Sequence, residues 1–222
     1  MKDDSWASWA EARLRRDWPT AVEMSIADME IARWHPNGFV VFRLGEVVDG
    51  RFGGSHRLHV WPGGIPRQSL PGHPTIHSHD WELQSLVLQG TYVDVIFEQA
   101  DIGPDALALL SHIVKYDSEV GDSIRPTEDT MRLSRRESRA VEKGGSHHMD
   151  IGVFHETVVP ASETVVTYVM MSPRQETGMM LLGGEPFAMT SFRRPALIQT
   201  EREHIESVLL AIARNGSRTS RG

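Results

Sequence analysis

A chain of 222 residues can bury a sizeable core and suits one domain with appended helices. Its formal net charge of −7, with no basic run above background, excludes a binder of nucleic-acid backbones. No apolar stretch approaches the ~20 residues that cross a bilayer, and the absence of cysteine excludes disulfides, thiolate ligands and a cysteine nucleophile. Any metal must therefore be held by nitrogen and oxygen atoms. Met1-Lys2-Asp3-Asp4 opens no signal peptide, so a soluble, cytoplasmic protein is expected.

In chain order, residues 5–18 place Trp6, Ala10, Leu14 and Trp18 on one helical stripe, and Pro19 is expected to end the run. Segments 38–44, 56–61, 83–90 and 91–98 are rich in β-branched and aromatic residues and read as strands, with turn signals at Pro62-Gly63-Gly64 and at Gly90. Residues 104–116 carry Leu107, Leu110 and Val114 in helical register, and the polar stretch 117–143 reads as a long excursion rather than strand. Its basic cluster at 132–139 is a solvated surface segment. Strands resume at 153–159 and 164–171. Residues 200–215 form a second helix, with Thr200 and Glu203 at capping-box spacing, Ile205, Val208, Leu209 and Ile212 on one face, and Asn215-Gly216 as a stop. Short strands without regular βα alternation predict an antiparallel sandwich or barrel.

Three histidines crowd into residues 73–79, just ahead of an apolar strand. Imidazoles beside core residues are costly unless something satisfies their nitrogens. Alternation along a strand points His77 and His79 to one face, with Trp81, Leu83, Ser85 and Val87 continuing it. Two imidazoles on one face make half a metal site, and the second histidine-bearing strand supplies His155. His73 and His112 read as structural; His147 and His148 alternate faces, which would let one line the cavity, but exposed loop positions are favoured for both. His59 shares a face with Arg57 and Trp61, and the methionines at 170–171 and 179–180 read as core filler.

These residues resemble the two motifs of the cupins, small metal-binding antiparallel β-barrels. The first motif is matched by Gly72, His77-Ser78-His79 and Gly90. The second is matched by Gly144, Gly152 and His155, with Asp150 in place of the usual proline and Val159 in place of asparagine. The resemblance implies a mainly β, cupin-type double-stranded β-helix with its core at about 38–172. About 53 residues lie between Gly90 and Gly144, more than compact cupins use. The segment 103–143 therefore reads as a helical and polar insertion over the barrel mouth.

The glutamate of the first motif would fall at 83 or 84, which here are Leu83 and Gln84. Three completions of the site are open. Glu82 joins the histidines if a β-bulge near Asp80-Trp81 swings it inward, Gln84 contacts a bound water or substrate, or three histidines stand alone. The resemblance implies one divalent metal ion and a small polar substrate. Three imidazoles leave positions open for O2 and substrate, which favours Fe(II) and oxygenase-type oxidation, as in the thiol dioxygenase branch. The alternatives are a Zn(II) cupin catalysing isomerisation, lyase chemistry or a bond-forming rearrangement such as N–N bond formation, and a barrel that only binds a ligand. A homodimer is compatible with a cupin of this size.

Overall fold

The computed structural model describes residues 5–100, 106–115, 122–175 and 178–219. Helix α1 (Trp6–Ala27) leads into strands β1 (Arg33–Trp34), β2 (Val40–Asp49), β3 (Phe52–Trp61), β4 (Ile76–Ser78), β5 (Leu83–Gln89) and β6 (Thr91–Gln99). Then follow β7 (Leu107–Lys115), β8 (Asp122–Glu142), β9 (Ser146–Met149), β10 (Phe154–Val158), β11 (Val165–Met171), β12 (Met180–Gly183) and β13 (Met189–Phe192), and helix α2 (Gln199–Thr219) closes the chain. The six segments read as strands from their β-branched content all form.

The strands make two antiparallel sheets, ordered β1-β2-β3-β11-β5-β9 and β13-β8-β6-β10-β4-β12-β7. Residues of both sheets line one cavity between them, which is the cupin-type antiparallel barrel expected from the motifs. The chain crosses from the second sheet to the first between β4 and β5, within the first motif itself. Gly90 makes the tight β5–β6 turn. Its φ is +76°, and a Cβ there would lie 2.4 Å from the Thr164 carbonyl oxygen, so only glycine fits.

Alternation sorts the first sheet cleanly. Phe42, Leu58, Val60, Leu86, Leu88, Val166, Tyr168 and Met170 form one buried face, and Ala10, Leu14 and Val22 of α1 with Ile205, Leu209 and Ile212 of α2 cover it. Each buried large aliphatic contributes about 1.5–3 kcal/mol before entropic cost. Glu201, in the first turn of α2, reaches back to accept the Ile198 backbone N–H at 3.0 Å and the Trp34 indole N–H at 3.1 Å. The carboxylate half of a capping box therefore falls at Glu201 rather than Glu203. Among the described residues no helix is long and apolar enough to cross a membrane.

Several sequence expectations are corrected. Pro19 lies inside α1 and does not end it, because Ala21, Val22 and Ser25 beyond it are buried and their packing outweighs one lost backbone hydrogen bond. Asn215-Gly216 does not stop α2, which continues to Thr219. The expected inserted helix at 104–116 is instead strand β7 where it is described, Pro104 and its neighbours lying outside the described residues. The supposed excursion after it contains the 21-residue strand β8. The C-terminal half of β8 pairs with β6 and its N-terminal half with β7 and β13. Only Ile124, Leu133 and Val141 of β8 are buried, so its polar composition reflects a solvent-facing strand held by its ladders. The strand system also extends past residue 172, through β12 and β13.

Candidate metal centre

His77 is supplied by β4, His79 by the crossover that follows, and His155 by β10, directly opposite His77 in the β4–β10 pair. One ring nitrogen from each lies within 4.8 Å of the other two. All three residues line the cavity. Strand alternation thus does what the His-x-His spacing implied, and the antiparallel pairing of β4 with β10 brings in the third ring.

The second ring nitrogens explain the orientations. The His77 Nδ1–H donates to the Thr75 carbonyl at 2.8 Å. A carboxylate only accepts, so the His155 Nδ1–H donates to Asp94 Oδ1 at 2.9 Å. Both rings therefore turn Nε2 toward the cluster. His79 stacks on Trp81 with ring centroids 4.8 Å apart, and its Nε2 lies 3.2 Å from that of His155. Two nitrogens each about 2.1 Å from a shared ion sit roughly 3.0–3.4 Å apart at cis coordination angles, so this spacing fits a common metal. Burial, then the neighbouring His155, pushes His77 down to about 3. Burial, then His77 and His155, pushes His79 well below the usual histidine range. Neutral imidazoles are the form that ligates metals. The donor set fits a divalent ion.

Asp94 is the hub of the surrounding network. Its Oδ1 also accepts from the Thr157 hydroxyl at 3.2 Å, and its Oδ2 lies 3.5 Å from His147 Nδ1. His147 in turn meets the Tyr92 hydroxyl at 3.3 Å, and Tyr92 meets Ser85 at 3.1 Å. Burial raises the Tyr92 phenol above its ordinary range. Sequence reasoning favoured an exposed loop for His147 over the cavity lining its alternation with His148 allowed, but it is 7% exposed and lines the cavity. The signal was Ser-His-His-Met itself. Its alternation, once read as strand β9, turns His147 and Met149 inward and His148 outward. Asp94, flanked by Val93 and Val95 in a core strand, was the other carboxylate worth noting.

Glu82 and Gln84 are not brought to the histidines. Neither lines the cavity. Glu82 groups instead with His148 and Asp150 on the outer side, its carboxylate 3.7 Å from His148 Nε2. Gln84 is buried beside the face covered by α1 and α2. The crossover between β4 and β5 keeps the odd-numbered side chains pointing inward, with His79, Trp81, Leu83 and Ser85 all lining the cavity, so no bulge turns Glu82 in. His112 is buried and accepts the Phe187 backbone N–H at 3.0 Å, and His59 lines the cavity with Arg57 and Trp61.

No family model matches the chain, and no curated protein matches it. Solved structures similar to it include a cupin-like protein from Thermotoga maritima (11% identity, 77% of this chain and 90% of that one, TM-score 0.34). Others are an RmlC-like cupin from Ralstonia eutropha (11%, 83% of each chain, 0.33) and a Bacillus subtilis oxalate decarboxylase mutant (10%, 79% of this chain and 43% of that one, 0.37). At such scores the fold stands on the chain's own sheet order and register.

Proposed function

We propose that the protein is a metal-dependent enzyme in which His77, His79 and His155 hold one divalent ion and a small polar substrate enters the cavity beside it. The observation that carries this reading is the inward convergence of three imidazoles, two with Nδ1 anchored so that Nε2 faces the cluster. The cavity, about 530 Å³, falls within the range of small-molecule sites. Bound Fe(II) would supply activation of O2 and substrate at its open positions. The chain's own part is to fix the ligands. Asp94 and Thr75 hold two rings in one tautomer, and Trp61, Trp81 and Tyr92 line the chamber with aromatic surface. The network Ser85–Tyr92–His147–Asp94 offers hydroxyl and imidazole groups on the cavity side for holding or moving a substrate proton. The favoured activity is Fe(II)-dependent oxidation.

The test is metal analysis of protein purified without chelator, followed by anaerobic loading with Fe(II) and measurement of O2 uptake over candidate substrates. Near-stoichiometric iron with substrate-dependent O2 consumption supports the reading. Stoichiometric zinc without O2 dependence replaces it with the redox-silent alternative, since an all-histidine site also suits zinc.

A further inference from the structure

The three histidines are not held alike. His77 and His155 stand opposite each other in the β4–β10 ladder, and each has its Nδ1 in a hydrogen bond, to Thr75 and to Asp94. His79 lies on the crossover, outside any strand. Its carbonyl accepts the Gly152 N–H at 2.9 Å, which fixes its backbone. Its Nδ1, however, is buried and has no hydrogen-bond partner among the described residues. A ring that ligates through Nε2 carries its proton on Nδ1, and a hydrogen bond there fixes tautomer and orientation together.

What His79 has in place of that bond is a stack. Its imidazole lies against Trp81 with ring centroids 4.8 Å apart and planes at 28°. Trp81 in turn carries the Arg174 guanidinium, whose Cζ is 4.6 Å from the ring centroid. The segment that brings Arg174, directly after β11, is tied to both chain neighbours of Trp81. The Gln175 N–H donates to the Asp80 carbonyl at 2.7 Å and the Ser172 N–H to the Glu82 carbonyl at 3.0 Å. The Glu82 N–H returns a bond to Ser172 Oγ at 2.9 Å, and Arg174 Nη1 donates to Asp80 Oδ2 at 3.4 Å. The indole itself is buried in an apolar cluster with Ile124, Val169 and Leu181. Trp81 is thus fixed from several directions, and His79 rests on it.

We propose that Trp81, backed by Arg174, is the positioning residue that holds His79 in its ligating orientation, and that His79 is the ligand whose release governs loss of metal from the centre. A stack restrains the tilt of a ring but leaves its tautomer open, whereas the bonds to Thr75 and Asp94 restrain both. The guanidinium on the indole adds a cation–π attraction that keeps the ring plane in place. Trp81 acts through His79 rather than on the metal itself. This assignment rests on the reading of the three histidines as a metal centre.

The test uses the full chain with Co(II) alone as probe, because its visible bands report the number and arrangement of ligands. Chelator competition gives the affinity, and stopped-flow transfer to excess chelator gives the release rate. Trp81→Leu should bind Co(II) at least about ten-fold more weakly, release it correspondingly faster and alter the visible bands, as when a ligating histidine loses its partner. Trp81→Phe, which keeps a ring, should fall between Trp81→Leu and wild type. Arg174→Gln, at a half-exposed side chain, should speed release about three-fold. Ile124→Ala, in the same apolar cluster but outside the cavity lining, separates positioning from stability. It should lower resistance to urea and leave affinity and bands at the wild-type values. Unchanged affinity, release and bands in Trp81→Leu, or an equal loss in Ile124→Ala, overturns the proposal and leaves the three-histidine centre standing. Should Trp81→Leu not fold, Trp81→Phe and Arg174→Gln decide, and wild-type release rates in both overturn the proposal. Wild-type protein that binds no Co(II) contradicts the metal centre and this inference with it.

Discussion

Asp94 accepts the Nδ1–H of His155 at 2.9 Å and so decides which nitrogen of that ring faces His79. The carboxylate is 1% exposed at its side chain, and it is shared with Thr157 and His147. One residue of β6 thereby sets the geometry of a cluster made by β4, β10 and the crossover after β4.

Asp94→Asn should retain the fold but weaken metal binding by about 10–100-fold, the usual loss when the partner of a ligating histidine is changed. Competition with a chromophoric chelator measures this. Unaltered affinity would mean that the carboxylate plays no part in orienting the ring.

Glu82→Gln should leave metal affinity at the wild-type value, because Glu82 faces His148 and Asp150 rather than the three histidines. The same chelator competition applies. A ten-fold loss would put Glu82 among the ligands and require a different path for residues 79–82.

Acid should destabilise the metal-free protein partly through His59. Burial, then Arg57 and Arg194, pushes this residue down to about 3 in the folded chain, against about 6.5 when unfolded. Between those values the unfolded chain binds more protons, so stability is intact above pH 6.5 and is lost as pH falls toward 3. At pH 5 the loss from this one group is about 2 kcal/mol. Urea unfolding at pH 7 and pH 5 should show His59→Phe losing that much less than wild type; equal losses would contradict the buried neutral state.

The helical cover of the first sheet should be needed for stability. Leu209 is fully buried between α1, α2 and the sheet, and Leu209→Ala should cost about 2–5 kcal/mol in urea unfolding. A loss below about 1 kcal/mol would mean that α2 is not packed as described.

The site was more legible than the frame around it. His77, His79 and His155 could be read because alternation and the two motifs act over a few residues, and the strands bearing Val, Ile and Phe runs announced themselves. β8 could not be read, since its stability comes from pairing with β6, β7 and β13, whereas its side chains are mostly polar and face water. Leu107, Leu110 and Val114 fit a helical spacing by coincidence of a short window, and the partner strand decided in favour of β7. Pro19 misled for the opposite reason, as a local breaker overridden by distant packing. The pairing of Asp94 with His155 needed the register between β6 and β10, which no single segment contains, whereas the inward face of His147 was open to alternation once β9 was read as a strand. The misplacement of Glu82 followed from supposing a bulge where the crossover between sheets keeps the pleat in phase.

The most direct test of the central claim is the metal content of His77→Ala and His155→Ala beside wild type, by elemental analysis of protein purified without chelator, with circular dichroism to confirm the fold. Wild type should carry close to one equivalent of a divalent transition metal, and each variant should lose most of it while keeping the β-sheet spectrum, because the apolar cluster between the first sheet and the two helices contains no residue of β4 or β10. Full metal content in both folded variants would contradict the three-histidine centre.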